Sequence, residues 1–298
     1  MERIVDLHIH TTCSDGALTP KQVVDMAVKN NVEIISIADH DSIMAYTEDF
    51  FQYAQNKGVS IIPAVEISTR NNGVGVHVLG YNFDLNNKEL NNVLFKLKNA
   101  RQDYLIDVTR KLDELGYSVN IEKLKEVSSV TKAHISQDII SNDNNREKLL
   151  ENFGHIPNKG EFIETIMNEG CPAFVEKFSI SSFEASNIIH SAGGIVILAH
   201  PVCYKYEDGL NLDQVVKMAR DMKADGIESN YLYVDRYNNL IDEIDFWNKI
   251  AIENNMITSI GSDYHISDGI RPEIGFANYF DKLNNINSIG ILDKIKIK

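Results

Sequence analysis

The chain has 298 residues, 43% of them hydrophobic and 24% charged, the balance of a soluble globular protein large enough for one big domain or two smaller ones. Its 43 acidic against 29 basic residues give a formal charge of -14, which repels duplex DNA and anionic membrane but allows a small anionic substrate if cations supply positive charge. Cys13, Cys171 and Cys203 form no CxxC pair, which excludes a disulfide framework or a thiolate zinc site. No apolar run approaches the roughly 18–20 residues that cross a bilayer. The N-terminus leads straight into VDLHIH with no basic-then-apolar leader, so a cytoplasmic protein is expected.

In chain order, residues 4–9 read as a strand. PKQVVDMAVKNN (20–31) has apolar residues at helical spacing, with Thr19 as N-cap and Pro20 at the first helical position. VEIISIADHD follows as a buried strand ending in charge. Residues 43–57 read as a helix stopped near Gly58, VSIIPAVEIST as a third strand and VGVHVLGYN as a fourth. A long amphipathic helix, ELNNVLFKLKNARQDYLIDVTRKLDELGY, comes next, apolar at Leu90, Leu94, Leu97, Leu105, Val108 and Leu112. GGIVILAHP (193–201), ADGIESN (224–230) and MITSIGSDYH (256–265) are the remaining strands, with helical patterns between them. Such alternation implies parallel pairing and right-handed winding.

The polar residues of these strands fall at their ends. Strand one closes on His8 and His10, strand two on Asp39, His40 and Asp41, strand three on Glu66; strand four contains His77. The later strands end in His200, Glu228, and Asp263 with His265. Seven strands ending in imidazole and carboxylate describe a ring, as at the C-terminal mouth of a (β/α) barrel. His8 and His10 are two residues apart and project from one face of their strand, so both can reach one ion. Imidazole and carboxylate without thiolate suit manganese, iron or zinc. The number of ligands fits two or three ions, with Glu66 as the expected bridge. Burying so many ionisable groups without cations would be costly. His155, after Gly154, and His190, inside SFEASNIIHSAGG, lie outside this pattern, and Glu228 reads either as a supporting carboxylate or as a plain strand-end charge.

The pieces DLHIHTTCSDG, IADHD, PAVEIS, VHVLGY, ILAHP and GSDYH, in that order, resemble the PHP (polymerase and histidinol phosphatase) family of metal-dependent phosphoesterases. The resemblance implies a distorted (β/α)7 TIM-like barrel with an inserted, mainly helical lid. Residues 1–99 and 181–298 would form the two parts of the barrel and 100–180 the insertion. It also implies the metal ligands His8, His10, Asp15, His40, Glu66, His77, His200, Asp263 and His265. One ion would be held by His8, His10, Glu66 and Asp263, a second by Asp15, His40 and His265, and a third by Glu66, His77 and His200. Manganese is the expected metal, with Asp263, His265 and Glu66 closest to the chemistry.

The insertion carries SVTKAHIS and is followed by AGGIVILAHP. It resembles the branch of 3′,5′-nucleoside bisphosphate phosphatases and short-RNA 5′-exonucleases. Lys132 stands where that branch more often has Arg, and exchanges a planar fork for a point charge. Ala38 stands where Thr usually precedes the DHD motif. Lys132, His134 and Lys177 are the expected substrate-binding residues, reading a second phosphate. The expected function is hydrolysis of a phosphate monoester of a small nucleotide, a 3′,5′-nucleoside bisphosphate going to nucleoside monophosphate and phosphate, together with 5′-end trimming of short oligoribonucleotides, by metal-activated hydroxide. Two other readings stay open: a phosphatase of another metabolite such as histidinol phosphate, and a non-enzymatic metal-stabilised module. The expected partner is thus a small phosphorylated substrate, with no duplex DNA and no membrane.

Overall fold

The computed structural model describes residues 4–71, 73–125, 127, 130–176, 178–235, 237–276 and 290–295. They form two compact units, one of residues 1–94 with 180–298 and the other of residues 95–179.

The first unit opens with β1 (Ile4–Ile9), α1 (Pro20–Lys29) and β2 (Val32–Ile37). α1 starts as the sequence predicts: the Thr19 hydroxyl accepts from the Gln22 backbone while the Gln22 side chain returns to Thr19, and Pro20 fills a position whose N–H needs no partner. α2 (Glu48–Lys57) begins five residues later than residue 43, because Thr47 caps it by accepting from Phe50 N–H. It stops at Gly58, whose φ of 76° is the left-handed conformation that ends helices. The expected third strand is divided into β3 (Ser60–Ile61) and β4 (Ala64–Asn71), with Pro63 between them. β5 (Val74–Tyr81) follows.

After the second unit come α8 (Ser182–Ser191), β6 (Ile195–Leu198), α9 (Pro201–Tyr206), α10 (Leu212–Asp221), β7 (Gly226–Asn230), β8 (Leu232–Val234), β9 (Leu240–Asp242), α11 (Ile244–Glu253), β10 (Ile257–Ile260) and α12 (Gly290–Lys294). The second unit runs from within α3 (Lys88–Glu114) through α4 (Ile121–Lys125), α5 (Lys132–Ile140), α6 (Arg146–Phe153) and α7 (Lys159–Phe162), with a π turn at Ile163–Met167. The six predicted apolar positions of α3 are all buried. Leu105, Val108 and Leu112 join Tyr117, Ile135, Ile139 and Phe162 in a core of the second unit's own.

Three sheets are present among the described residues: β1-β2-β3, β10-β7-β6-β5-β4 and the ribbon β8-β9. No closed barrel is hydrogen-bonded through them. Two single parallel bridges, Ile9 to Tyr264 and His40 to Glu66, link the ends of the first sheet to segments at both margins of the second. β1, β2, β3 and β6, β7, β10 pair in parallel, as alternation with helices predicts. β5 departs from that expectation and runs antiparallel to both β4 and β6. The reason is local: β4 ends at Asn71 and β5 begins at Val74, too short a link for a crossover, and Gly73 takes a φ of 89°. Reversal brings the first half of β5 level with the C-terminal ends of its neighbours, so His77 pairs with Ser68 and its carbonyl accepts from Ala199 N–H. No helix among the described residues is long and apolar enough to cross a membrane.

Close strand packing depends on Gly226, which pairs with both Ile197 and Ile257. A Cβ there would stand 2.0 Å from the Ile257 carbonyl oxygen, a backbone atom that cannot rotate away. Gly226→Ala should therefore lower unfolding free energy by about 1–3 kcal/mol, the usual cost of overpacking. Urea denaturation checks this, and an unchanged midpoint would contradict the packing described.

Candidate metal centre

The strand ends converge on one carboxylate. Glu66 sits in β4, 1% exposed, and divides its two oxygens between two groups of imidazoles. Oε2 lies 3.4 Å from His8 Nε2, 3.3 Å from His10 Nε2 and 2.9 Å from His40 Nδ1. Oε1 lies 3.0 Å from His77 Nδ1 and 3.1 Å from His200 Nε2. Burial alone would raise the Glu66 carboxyl, but His40, His77 and His8 beside it hold it well below its ordinary range.

Asp263 completes the group around His8 and His10, with Oδ1 3.5 Å and 3.1 Å from their Nε2 atoms. Its backbone takes a φ of 52°, one of three positive-φ non-glycine residues at the site with Asp41 and His200. Burial opposes ionisation of Asp263, yet His8 and His265 keep it well below the usual carboxylate range. Asp15 gathers a further group: its Oδ1 is 3.4 Å from His10 Nδ1 and 3.5 Å from His265 Nε2, and its Oδ2 is 3.7 Å from His40 Nε2. His40 thus faces Glu66 with one ring nitrogen and Asp15 with the other. All nine residues singled out in the sequence lie in this one cluster.

The loop carrying Asp15 is folded tightly to reach it. Thr11 carbonyl oxygen accepts from both Ser14 N–H and Gly16 N–H, and a Cβ at Gly16 would stand 2.3 Å from the His10 carbonyl oxygen. Asp39 holds the loop from behind. Its carboxylate accepts from Thr11 N–H at 2.7 Å, the Thr11 hydroxyl at 2.7 Å and the Ser14 hydroxyl at 2.5 Å. Asp6, fully buried, accepts from Ser262 N–H at 3.0 Å and Gly275 N–H at 2.8 Å, tying β1 to the segment that carries Asp263. The DHD motif and the first strand signalled carboxylates at these positions, without showing that Asp39 and Asp6 serve backbone and hydroxyl donors rather than the cluster.

Two more side chains that the sequence left unassigned reach the site. Glu228 Oε1 is 3.0 Å from His8 Nδ1 and its Oε2 accepts from His200 N–H at 2.8 Å. Tyr231 donates its hydroxyl to Asp263 Oδ2 at 3.2 Å. Nothing in the sequence marked Tyr231 beyond its place after β7. His155 and His190 pair with other carboxylates, Glu161 and Asp225 respectively. Among the expected substrate-binding residues, Lys132 and His134 belong to the second unit, at the start of α5. Lys132 Nζ donates to Asn168 Oδ1 at 2.8 Å. His134 closes a capping box: Thr131 N–H donates to its Nδ1 at 3.2 Å, which leaves the proton of the neutral ring on Nε2. Lys177 lies outside the described residues.

The donor set fits divalent cations. His10, Asp15, His40 and His265 form one group of convergent ligand atoms, His8, His10 and Glu66 another, and His40, Glu66 and His77 a third. Asp15 Oδ1, His40 Nδ1, Glu66 Oε2 and His200 Nδ1 are buried without a hydrogen-bond partner. The short approach of His40 Nδ1 to Glu66 Oε2 is therefore a contact without hydrogen-bond alignment. Buried polar atoms left this way are costly unless something else binds them, and nitrogen and carboxylate oxygen without sulfur suit manganese, iron or zinc.

The model of the PHP domain family matches residues 6–169, more than half of the chain, which belongs to that family. It is a phosphoric ester hydrolase. A 5′-3′ exoribonuclease of Haemophilus influenzae is 30% identical over 274 residues, covering 90% of this chain and 92% of its own. A 3′,5′-nucleoside bisphosphate phosphatase of Chromobacterium violaceum is 23% identical over 265 residues, covering 88% and 87%. A solved structure from Bifidobacterium adolescentis, described as a metal-dependent phosphoesterase, shares the fold with a TM-score of 0.70 at 20% identity, covering 92% of each chain.

Burial would lower the His10 ring, but Asp263 and Glu66 raise it to about 10, so in the ion-free protein it carries a proton at neutral pH. A cation bound at its nitrogen must displace that proton. Affinity for manganese should therefore rise as pH increases from 6 to 8. Calorimetric titration in buffers of different ionisation enthalpy should show proton release, and a binding heat independent of the buffer would contradict the assignment.

Proposed function

We propose that this chain hydrolyses a phosphate monoester of a small nucleotide, a 3′,5′-nucleoside bisphosphate, and that it also trims short oligoribonucleotides from the 5′ end by cleaving their terminal phosphodiester. The observation that carries the reading is Glu66, one buried carboxylate shared between two imidazole groups, in a chain that matches an exoribonuclease and a bisphosphate phosphatase over nearly their full lengths. The same reading treats the sheets as a distorted (β/α)7 barrel, with the bridges at Ile9–Tyr264 and His40–Glu66 as its seams.

In this reading His8, His10, Glu66 and Asp263 would hold one cation, Asp15, His40 and His265 a second, and Glu66, His77 and His200 a third, with manganese the expected metal. When bound, such ions activate water and neutralise the charge that builds on the phosphoryl oxygens. The chain's own groups do the rest. Glu66 places one negative charge between two groups of imidazoles, where it would offset the charge of cations held on either side. Asp263 stays ionised and takes the proton of the attacking water, with Tyr231 O–H holding its Oδ2 in place. His265 donates Nδ1–H to the Asp263 carbonyl at 2.9 Å, which turns its Nε2 toward Asp15. Attack in line with the leaving oxygen breaks the P–O bond, and the proton taken by Asp263 passes to that oxygen; a bisphosphate yields phosphate and a nucleoside monophosphate, an oligoribonucleotide a mononucleotide and the shortened chain. Lys132 and His134 are the residues we assign to a second phosphate of the substrate. A lysine point charge and an Nε2–H donor suit an anion.

Release of phosphate, or of mononucleotides from the oligomer, by the manganese-loaded protein tests this. Adenosine 3′,5′-bisphosphate, a 5′-phosphorylated trinucleotide, AMP and histidinol phosphate are compared at equal concentration. The bisphosphate or trinucleotide should exceed AMP, and Lys132→Ala should reduce that preference by about tenfold, the worth of one hydrogen bond to a charged group. Histidinol phosphate turning over fastest would sink the nucleotide assignment. Asp263→Asn should lower kcat by about 10²–10⁴ for whichever substrate is used, the range for loss of a positioned acid or base; wild-type kcat in that variant would remove Asp263 from the chemistry.

A further inference from the structure

Glu228 is a buried carboxylate that stands behind the convergent ligand atoms and, unlike Asp6 and Asp39, touches the ring of one of them. It is 0% exposed, the third residue of β7, and both its oxygens are engaged. Oε1 meets His8 Nδ1 at 3.0 Å and Oε2 accepts from the His200 backbone N–H at 2.8 Å. We propose that Glu228 is a positioning residue that fixes which nitrogen of His8 faces the cluster and, through its other oxygen, sets the backbone of His200, so that one carboxylate aligns ligands on both sides of Glu66. This inference rests on the metal-dependent reading of the site, and not on which phosphate ester is cleaved.

The chemistry follows from the donor inventory. An ionised carboxylate only accepts, so the nitrogen of His8 that touches it carries the proton. That nitrogen is Nδ1, which leaves the Nε2 lone pair toward Glu66, Asp263 and His10 Nε2, 3.1 Å away. Carboxylates behind a ligating imidazole set its tautomer and ring orientation in this way. The second oxygen has a different task. His200 has φ 29° and ψ 62°, a conformation that non-glycine residues rarely adopt. The hydrogen bond from its N–H holds the turn between β6 and α9 in that geometry. His200 Nε2 then lies 3.1 Å from Glu66 Oε1 and 3.2 Å from His77 Nδ1.

An independent feature shows that the His8–Glu228 pair is built in. Gly261, just after β10, lies directly beside it. A Cβ there would stand 2.2 Å from the His8 Cβ and 2.4 Å from Glu228 Oε1. The chain leaves out a side chain where His8 and Glu228 must close.

The amide variant separates this role from a merely structural one. Glu228→Gln keeps size and shape but offers one acceptor and one donor. If its oxygen serves His8 Nδ1–H, its amide N–H groups oppose the His200 N–H. If its oxygen serves His200, the amide donates to His8 Nδ1 and drives the ring proton to Nε2, the nitrogen a cation needs. Either arrangement loses one of the two bonds.

The experiment uses the full chain in two measurements. The first is a nitrogen-15 spectrum of labelled histidine in the zinc-loaded wild-type protein, which reports the protonated ring nitrogen of His8. Protonation at Nδ1, protected from solvent exchange, is expected; protonation at Nε2, or rapid exchange at Nδ1, would overturn the proposal. The second is zinc uptake by wild type and Glu228→Gln at buffered free zinc, with thermal melts alongside. The variant should lose about 10–100-fold in affinity at the ions that use His8 and His200, the usual effect of removing such a partner. It should keep the ion held by Asp15, His40 and His265. Equal affinity and stoichiometry in the two proteins would refute Glu228's role while leaving the metal reading intact. No zinc uptake by the wild-type protein would overturn the metal reading and this inference together. If Glu228→Gln does not fold, the wild-type spectrum decides alone.

Discussion

Everything at the site is arranged around the burial of one negative charge. A carboxylate as enclosed as that of Glu66 is costly unless opposite charges or strong donors surround it. Here five imidazoles, from the ends or the middle of four strands and the segments that follow them, point at its two oxygens. Asp263 and Asp15 extend the alternation of carboxylate and imidazole outward. The arrangement has the features of a cation site and lacks those of a hydrophobic core: donors converge, several have no hydrogen-bond partner, and acid and imidazole sit close enough to compensate one another.

A set of outer contacts keeps those groups from relaxing. Asp39 secures the loop that carries Asp15, Asp6 joins β1 to the segment behind Asp263, and the Tyr46 hydroxyl donates to Ile37 carbonyl while accepting from Ala64 N–H. Each links two segments that each carry ligands. The positive φ values of Asp41, His200 and Asp263 have the same origin: short turns at strand ends must aim side chains inward, and the surrounding hydrogen bonds offset the backbone cost. The precision of the cluster thus comes from rigid strands and anchored turns, the condition under which preorganised electrostatics works.

Much of this was legible in the sequence because ionisable residues at the ends of apolar strands violate the usual pattern. His8 and His10 in IVDLHI, and the charges closing IADHD and GSDYH, stand out against their surroundings. The reversal of β5 was not read, although Asn72–Gly73 is a hairpin signal; alternation of strands and helices outweighed a two-residue cue. Tyr231 carried no signal, and Glu228 was legible only as a supporting carboxylate or a plain strand-end charge. A carboxylate behind a ligand and one that is itself a ligand look identical in a sequence, and only the direction of His8 Nδ1 distinguishes them. The capping role of His134 was equally invisible, because the motif that suggests phosphate binding also satisfies the ordinary rule for a helix start.

The antiparallel β5 also bears on how the molecule is made. Its second edge is covered by β6, yet the whole of residues 95–179 lies between them in the chain. That inserted unit has its own core and is continuous in sequence, so during synthesis it is complete before β6 emerges. Until then VGVHVLGY presents an open, largely apolar edge, the kind of surface that templates pairing between chains. Recruitment of the insertion between two halves of one sheet therefore has a kinetic cost, a nascent chain that must wait with an unpaired strand, and the place where that cost falls is the strand that delivers His77.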